Sequence, residues 1–428
     1  MKFWDKNDLK DPNVGTGKTV VLGLQHTFTM FGATILVPII LSEFGMSISV
    51  ALFMAGVCTL LFHLLTKGGV PIFLGSSFAF IAPIAAAASA YGLESALGGV
   101  VAAGLIYILM AVLVYFLGAH VIINLFPPII TGTVIMVIGL GLAPVAINMA
   151  SAGGGDEITT TSWLIALMSF AIVVIVSVFL KGFFKVLPVL IGIVISYIIA
   201  VILTVTGLVP LIDFTPIAEA DWFGRPEFTT ATFEWRAILL VAPVAICTMV
   251  EHIGDVMAVG AICNRNFVKN PGLHRTLLGD GIATSLSAMF GGPANTTYSE
   301  NTGVLALTRQ FNPNIMRIAA VFAILLGLVP KLGAIISTIP TPIIGGISIV
   351  LFGMIASVGA RTLVENKVDF KQSRNLIIAA VVLVLGIGGA VVPFDFGSFS
   401  FAIEGMALAA IVGIILNQIL PGKVKYKK

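Results

Sequence analysis

From about residue 19 onward the chain is a succession of uncharged apolar runs, most of them close to the ~20 residues a helix needs to cross a ~30 Å hydrocarbon layer. Water cannot be the solvent for such a surface. Of the 428 residues 58% are apolar and 10% are Asp, Glu, Lys or Arg, where an ordinary soluble domain carries roughly 25% charged residues. A cytosolic enzyme, a secreted scaffold and a nucleic-acid binder are excluded, and the lipid bilayer is the expected partner. Cys58, Cys247 and Cys263 sit in or beside apolar runs with no CxxC spacing, so neither a disulfide framework nor a zinc site is suggested. Residues 1–18 are polar and mixed in charge, with no small-residue cleavage site after the first run, which argues against a removable signal peptide.

The clear runs lie near residues 19–41, 47–66, 94–118, 128–149, 161–180, 186–209, 237–262, 314–337, 341–358, 374–392 and 400–420. Three weaker ones, 71–91, 278–292 and 293–310, are short or rich in Gly, Ser, Thr and Asn, and bring the number to fourteen. Lys and Arg should concentrate in cytoplasmic loops. Lys67, Lys181 with Lys185, Arg265 to Arg275, Arg309 with Arg317, and Arg361 to Arg374 all follow even-numbered runs, whereas Glu43, Asp156 with Glu157, and the stretch from Asp213 to Glu234 follow odd ones. The lysine-rich N-terminus and the tail from Lys423 to Lys428 then both lie in the cytoplasm.

The longest connection, 210–236, divides the chain into seven plus seven spans. An odd number per half turns the halves over relative to each other. That is the inverted repeat of many secondary transporters, whose substrate site forms at mid-membrane from discontinuous segments. The sequence thus predicts an all-α polytopic membrane protein of fourteen transmembrane segments in a 7+7 inverted repeat, with short extended stretches in segments three and ten. Those stretches are Pro71 to Pro83 and Pro293 to Gly303, both proline-flanked and hydroxyl-rich. Irregular backbone survives at membrane depth only where protein or a wet cavity satisfies it, so these segments mark the candidate site. A helix beginning after each would present free N–H groups to a polar or anionic substrate.

An ionisable group inside a span costs roughly 3 kcal/mol or more on insertion scales and by default marks function. Glu251 and Asp255 of span eight are i and i+4 on one helix face. Two carboxylates in a dry site repel, so one is expected to hold a proton near neutral pH, as a proton-coupled carrier requires; a carboxylate kept only for packing is the alternative. Glu300 stands among Asn295, Thr296, Thr297, Tyr298, Ser299 and Asn301, placed to accept from a ring N–H unless it lies at a loop end in water. Gln25 and His26 in span one, and His252 about 100° round the helix from Glu251, fit either a proton relay or a packed polar network. Glu404 suits the outer end of the last span.

Phe78 and Phe80 in segment three offer an aromatic face, and with two facing carboxylates they describe a pocket for a small planar heterocycle bearing N–H donors. The sequence has no P-loop, so an ion or proton gradient is the expected energy source. No cofactor or metal is expected, the proton being the coupling ion. A metalloenzyme is the weakest reading, since His252 does not share the face of Glu251 and Asp255 and no HExxH is present.

At these residues the chain resembles the nucleobase and ascorbate transporter family, most of all its bacterial uracil permeases, over almost its whole length. The most specific piece is Glu300-Asn-Thr-Gly303-Val-Leu-Ala-Leu-Thr308-Arg309, which fits the family signature of an acidic or amide residue, Asn-x-Gly, four residues, and Thr before a basic residue. Leu24 to Ala33, Gly75 to Phe80 and Glu251 to Gly254 are similar to the other family landmarks. The resemblance implies a core domain from residues 1–120 and 237–338 (spans one to four and eight to eleven) and a gate domain from 121–209 and 339–422 (spans five to seven and twelve to fourteen). It implies a homodimer through the gate domain, a bacterial cytoplasmic membrane, and a pyrimidine bound between the domains. Glu251 and Glu300 would bond its polar edge, Phe78 would lie beside the ring, and backbone near Ala33 and Ser299 would complete the contacts, supported by Gln25, His26, His252, Tyr298 and Asn301.

Some uracil permeases carry a histidine four residues after the span-eight glutamate, implicated in proton coupling; this chain has Asp255, so coupling is expected from Asp255 and Glu251. Glutamate at 300 looks more like pyrimidine than xanthine or urate carriers. The expected function is uracil–proton symport with alternating access between core and gate, and not an enzyme activity. A xanthine, purine or broader nucleobase permease is the alternative. From another class comes an anion channel or exchanger on the same inverted repeat, against which the carboxylates of spans eight and ten stand.

Overall fold

The computed structural model describes residues 15–152, 158–396 and 399–422. Lys2, Lys6 and Lys10, the acidic pair Asp156 and Glu157, and the lysine tail lie outside the described residues. The first half contributes α1 (Thr16–Ile40), α2 (Ile48–Leu65), strand β1 (Leu74–Ser76), α3 (Ile81–Tyr91), α4 (Leu93–Leu117), α5 (Pro128–Gly141), α6 (Thr160–Phe179) and α7 (Pro188–Val205). The second half contributes α8 (Ala245–Ile262), α9 (Leu273–Met289), β2 (Asn295–Thr297), α10 (Ser299–Thr308), α11 (Pro313–Gly327), α12 (Thr341–Glu365), α13 (Ser373–Ile387), β3 (Val391–Phe396), β4 (Phe399–Glu404) and α14 (Gly405–Ile419). Short helices such as Trp235–Val241, which leads into α8, join them. Helix starts follow local chemistry. Ser47, Thr159 and Asn312 accept from first-turn N–H groups, and Pro128, Pro188 and Pro313 sit at the first helical positions, where a missing N–H leaves no bond unmade.

Among the described residues eight helices are long and apolar enough to cross a membrane, nine if the pair Pro313–Gly327 and Pro330–Ser337 is one span. Phe78–Tyr91, α13 and α14 are apolar but shorter. Three sequence boundaries need correction. The run 314–337 is not one straight helix: it bends by 79° where Pro330 cannot donate to the preceding turn. The run 400–420 is helical only from Gly405, because 399–404 forms a hairpin with 391–396, and Glu404 therefore ends a strand, exposed, instead of lying within a helix. The run 278–292 begins earlier, at Leu273, since a polar first turn (His274, Arg275, Thr276) hid it from an apolar criterion.

Lipid is as apolar as leucine, so close backbone approach and hydrogen bonds, more than apolar burial, hold such helices together. α4 packs along α9, α11 along α2 and α1; elsewhere α12 packs along α5 and α6, and α13 along α14 and α5. Small residues make these crossings. A Cβ added to Gly359 of α12 would stand 2.5 Å from the Gly132 carbonyl of α5. Ser285 of α9 donates to the Val101 carbonyl at 3.0 Å, and Ser169 of α6 to the Ile343 carbonyl at 3.0 Å. Outward faces stay apolar, as with Leu167, Ile175 and Phe179 of α6 and Ile198, Ile202 and Val205 of α7, all exposed.

Gly359→Leu is expected to destabilise the fold by about 1–3 kcal/mol through overpacking, seen as a lower thermal unfolding midpoint in detergent. Gly353→Ala, whose Cβ would meet nothing within 4 Å, should not lower it.

Candidate functional site

β1 and β2 pair antiparallel, Leu74 opposite Thr297, Gly75 opposite Thr296 and Ser76 opposite Asn295. Both strands are buried throughout. The ladder extends through Ser77 N–H to the Ala294 carbonyl (2.8 Å) and Tyr298 N–H to the Phe73 carbonyl (3.1 Å). Two strands alone leave their outer edges unpaired, which inside a membrane is untenable. Threonines close both edges in the same way. Leu74 N–H donates to Thr59 Oγ1 of α2 (2.9 Å), whose hydroxyl donates to the Leu74 carbonyl (3.2 Å); Asn295 N–H donates to Thr284 Oγ1 of α9 (3.3 Å), whose hydroxyl donates to the Asn295 carbonyl (3.4 Å). Gly75 is required where the strands cross, because a Cβ there would collide with the Tyr298 ring, whose hydroxyl donates to the Ser76 carbonyl at 3.1 Å.

α8 runs past this crossing with Glu251 and Asp255 turned toward β2. Thr297 donates to Asp255, and Thr296 Oγ1 lies 3.5 Å from Glu251 Oε2, the outer limit of a hydrogen bond. Glu300 sits in the first turn of α10, half-buried, where the helix dipole favours an anion. Glu251, Asp255 and Glu300 are close enough to feel one another's charge. Ser299 is exposed beside them, whereas Ala33 is buried in α1 next to Thr34, whose carbonyl accepts from Ser76 Oγ at 2.9 Å. Phe78 is buried at the start of the segment after β1 and meets Phe352 of α12 edge-on, ring centroids 5.9 Å apart. Phe80 is fully buried, a core residue.

The supporting residues divide into two sets. Asn301 Nδ2 reaches both His26 Nδ1 and the His26 carbonyl at 3.1 Å, tying α10 to α1, and Gln25 stands half-buried beside His26. His252 faces away from the strands, its Nδ1 2.9 Å from Asp280 Oδ2 on α9. Sequence reasoning missed Asp280 and Phe352. Asp280 carried a signal, a carboxylate between Gly279 and Gly281 in an otherwise uncharged stretch; Phe352, one phenylalanine among many in apolar spans, carried none.

Extended segments crossing between membrane helices, with carboxylates and an aromatic ring gathered at the crossing, are the architecture of a multi-pass membrane permease. The family model described as "Permease family" matches residues 17–394. The chain belongs to that family, the nucleobase and ascorbate transporters, and is not an enzyme. The uracil permease of Bacillus caldolyticus is 47% identical over 97% of this chain and 95% of its own length. The uracil permeases of Bacillus subtilis (strain 168) and Escherichia coli (strain K12) are 44% and 40% identical over 94% of this chain, and 92% and 91% of theirs. Among solved structures, the transmembrane domain of a cyanobacterium bicarbonate transporter, BicA, has a TM-score of 0.65 at 15% identity, covering 97% of this chain and 98% of that one. The murine Slc26a9 anion transporter in the inward-facing state has a TM-score of 0.70 at 10% identity, covering 96% and 69%. At such identities the likeness is of fold alone.

Thr297→Val removes the donor that Asp255 uses, and the expected loss is about 1–3 kcal/mol of stability for a buried acceptor left unpaired. Thr296→Val, whose contact is long, should cost less than about 1 kcal/mol; unfolding of the two variants side by side checks the difference.

Proposed function

We propose that this protein imports uracil across a bacterial cytoplasmic membrane by proton symport. The observation that carries this reading is the grouping of Glu251 and Glu300 at the β1–β2 crossing beside Phe78, in a chain similar over nearly its full length to permeases named for uracil. Uracil is a flat ring whose edge alternates N–H donors and carbonyl acceptors. Carboxylates at 251 and 300 accept from the N–H groups, backbone N–H groups near Ser299 and Ala33 serve the carbonyls, and Phe78 covers a ring face.

Transport needs two bodies that move. The proposed core is residues 1–120 with 237–338, the gate 121–209 with 339–422. Support comes from α4 packing on α9 and α11 on α2 in one group, and α12 on α5 and α6 in the other. Fourteen crossings in a 7+7 inverted repeat are supported by the Thr59 and Thr284 devices, one per half, each closing the edge of its own strand. The Phe78–Phe352 contact joins the two groups at the site, so gate movement would open or close the ring pocket. Asp255 and Glu251 carry the coupling proton: a proton and uracil, each binding one state better than the other, shift the equilibrium together. Both termini lie in the cytoplasm, and two copies associate through the gate. An anion exchanger is disfavoured, since facing carboxylates repel an anion.

Labelled uracil binding to purified protein tests the site. Glu300→Gln and Glu251→Ala are each expected to weaken it ten-fold or more, the worth of about 1.5–3 kcal/mol for a charged hydrogen bond, with unlabelled uracil competing and xanthine not. Uptake into proteoliposomes should quicken with an acidic exterior and collapse when a protonophore dissipates the gradient. Binding untouched by either substitution overturns the pocket; uptake indifferent to the gradient overturns the coupling.

A further inference from the structure

Asp280 and His252 are both fully buried, on α9 and α8, with 2.9 Å between Asp280 Oδ2 and His252 Nδ1, and neither touches the groups assigned to uracil. Such a couple is expensive in a low-dielectric interior, and the best-attested use of a buried polar pair is to fix how elements register.

The surroundings of Asp280 fit that use. Its two neighbours are glycines jammed against other helices: a Cβ on Gly279 would stand 2.8 Å from the Phe62 ring of α2, and one on Gly281 would stand 2.8 Å from the Gly104 carbonyl of α4. α9 is therefore wedged between α2 and α4 and cannot rotate, which fixes where Asp280 points. Tyr107 of α4, fully buried, meets the His252 ring edge-on at 6.3 Å and bounds it from the other side. His252 thus has one place to dock. The residue before it is Glu251, about 100° round the helix, and with His252 anchored to α9 that angle turns Glu251 toward β2.

We propose that the Asp280–His252 pair is a positioning device that sets the rotation of α8 and so aims Glu251 into the site. The pair acts through Glu251 and rests on the preceding reading only for what Glu251 then binds. Removing the acceptor frees α8 to turn; replacing it with asparagine, whose Oδ1 still accepts from His252 Nδ1–H, keeps the anchor.

The test reads geometry without substrate. In full-length protein, whose native cysteines Cys58, Cys247 and Cys263 are buried, Glu251→Cys is labelled with a small water-soluble methanethiosulfonate, and Ser299→Cys on α10 serves as the control. Adding Asp280→Leu is expected to slow labelling at 251 at least ten-fold and leave 299 unchanged, while adding Asp280→Asn alters neither. His252→Phe, which keeps the ring volume without the bond, should repeat the leucine result and stands in if that variant does not fold. An unchanged rate at 251, or equal changes at 251 and 299, overturns the proposal. Uracil affinity, read separately in otherwise wild-type protein, should fall ten-fold with Asp280→Leu and less than about three-fold with Asp280→Asn. A wild type that binds no uracil sinks the functional reading, while the labelling still decides this one.

Discussion

Everything at the centre of this protein depends on six residues of extended backbone that have no partner in lipid. A helix satisfies its own N–H and C=O groups; β1 and β2 cannot, so they must find each other and then find something for their outer edges. The antiparallel pairing supplies the first and the side chains of Thr59 and Thr284 the second. Two further carbonyls are met likewise: Ile72 accepts from His63 Nε2 at 2.9 Å, and Pro293 from Ser287 Oγ at 2.7 Å. The polar residues of α2 and α9 are therefore conditions for the strands to exist. The strands in turn leave α10 to begin in the middle of the molecule, with its first-turn N–H groups unspent on helix bonds.

Close packing around the strands follows from that need. Threonine on α2 or α9 can reach a strand only if those helices come close, and contacts such as Gly104 against Gly281 let α4 press on α9. The same closeness leaves the carboxylates with separate environments. Asp255 is engaged by Thr297 and Asp280 by His252, whereas Glu251 has only a long contact to Thr296. Glu251 is thus the acid on α8 least committed to the protein. An acid with its acceptor capacity unspent is the one a ligand can use without first breaking an internal bond.

Much of this was legible in the sequence, for physical reasons that differ by element. Long spans announce themselves because lipid permits no charge, and the two proline-flanked, hydroxyl-rich segments stood out because membrane helices rarely tolerate such composition; both hold the paired strands. Glu251, Asp255 and Glu300 were visible as charges where charge is costly, and Asn301 with His26 as polar residues the family signature and span one brought forward. The hairpin 391–404 was not legible, since its alternation of Val, Phe and Ile is apolar enough to merge with α13 and α14 on either side. The 79° bend after α11 hid in an apolar run whose one warning was Pro330. Phe352 could not be found at all, because its place against Phe78 is a fact of tertiary packing between segments 274 residues apart.

The two halves build the same frame and decorate it differently, and the difference suits a planar ligand with a polar rim. Two residues past β1 stands Phe78; two residues past β2 stands Ser299, followed by Glu300. One wall of the crossing is an aromatic face, the other a helix start bearing hydroxyl, N–H and carboxylate. Had both halves carried the aromatic, the ligand's edge would be buried without partners, at the desolvation cost of every unmet N–H and C=O. Had both carried the acid, the repulsion among Glu251, Asp255 and Glu300 would have gained a further member with nothing apolar to stack on the ring. A repeated frame fixes the backbone where lipid allows no error, and departure from the repeat at these few positions supplies the chemistry.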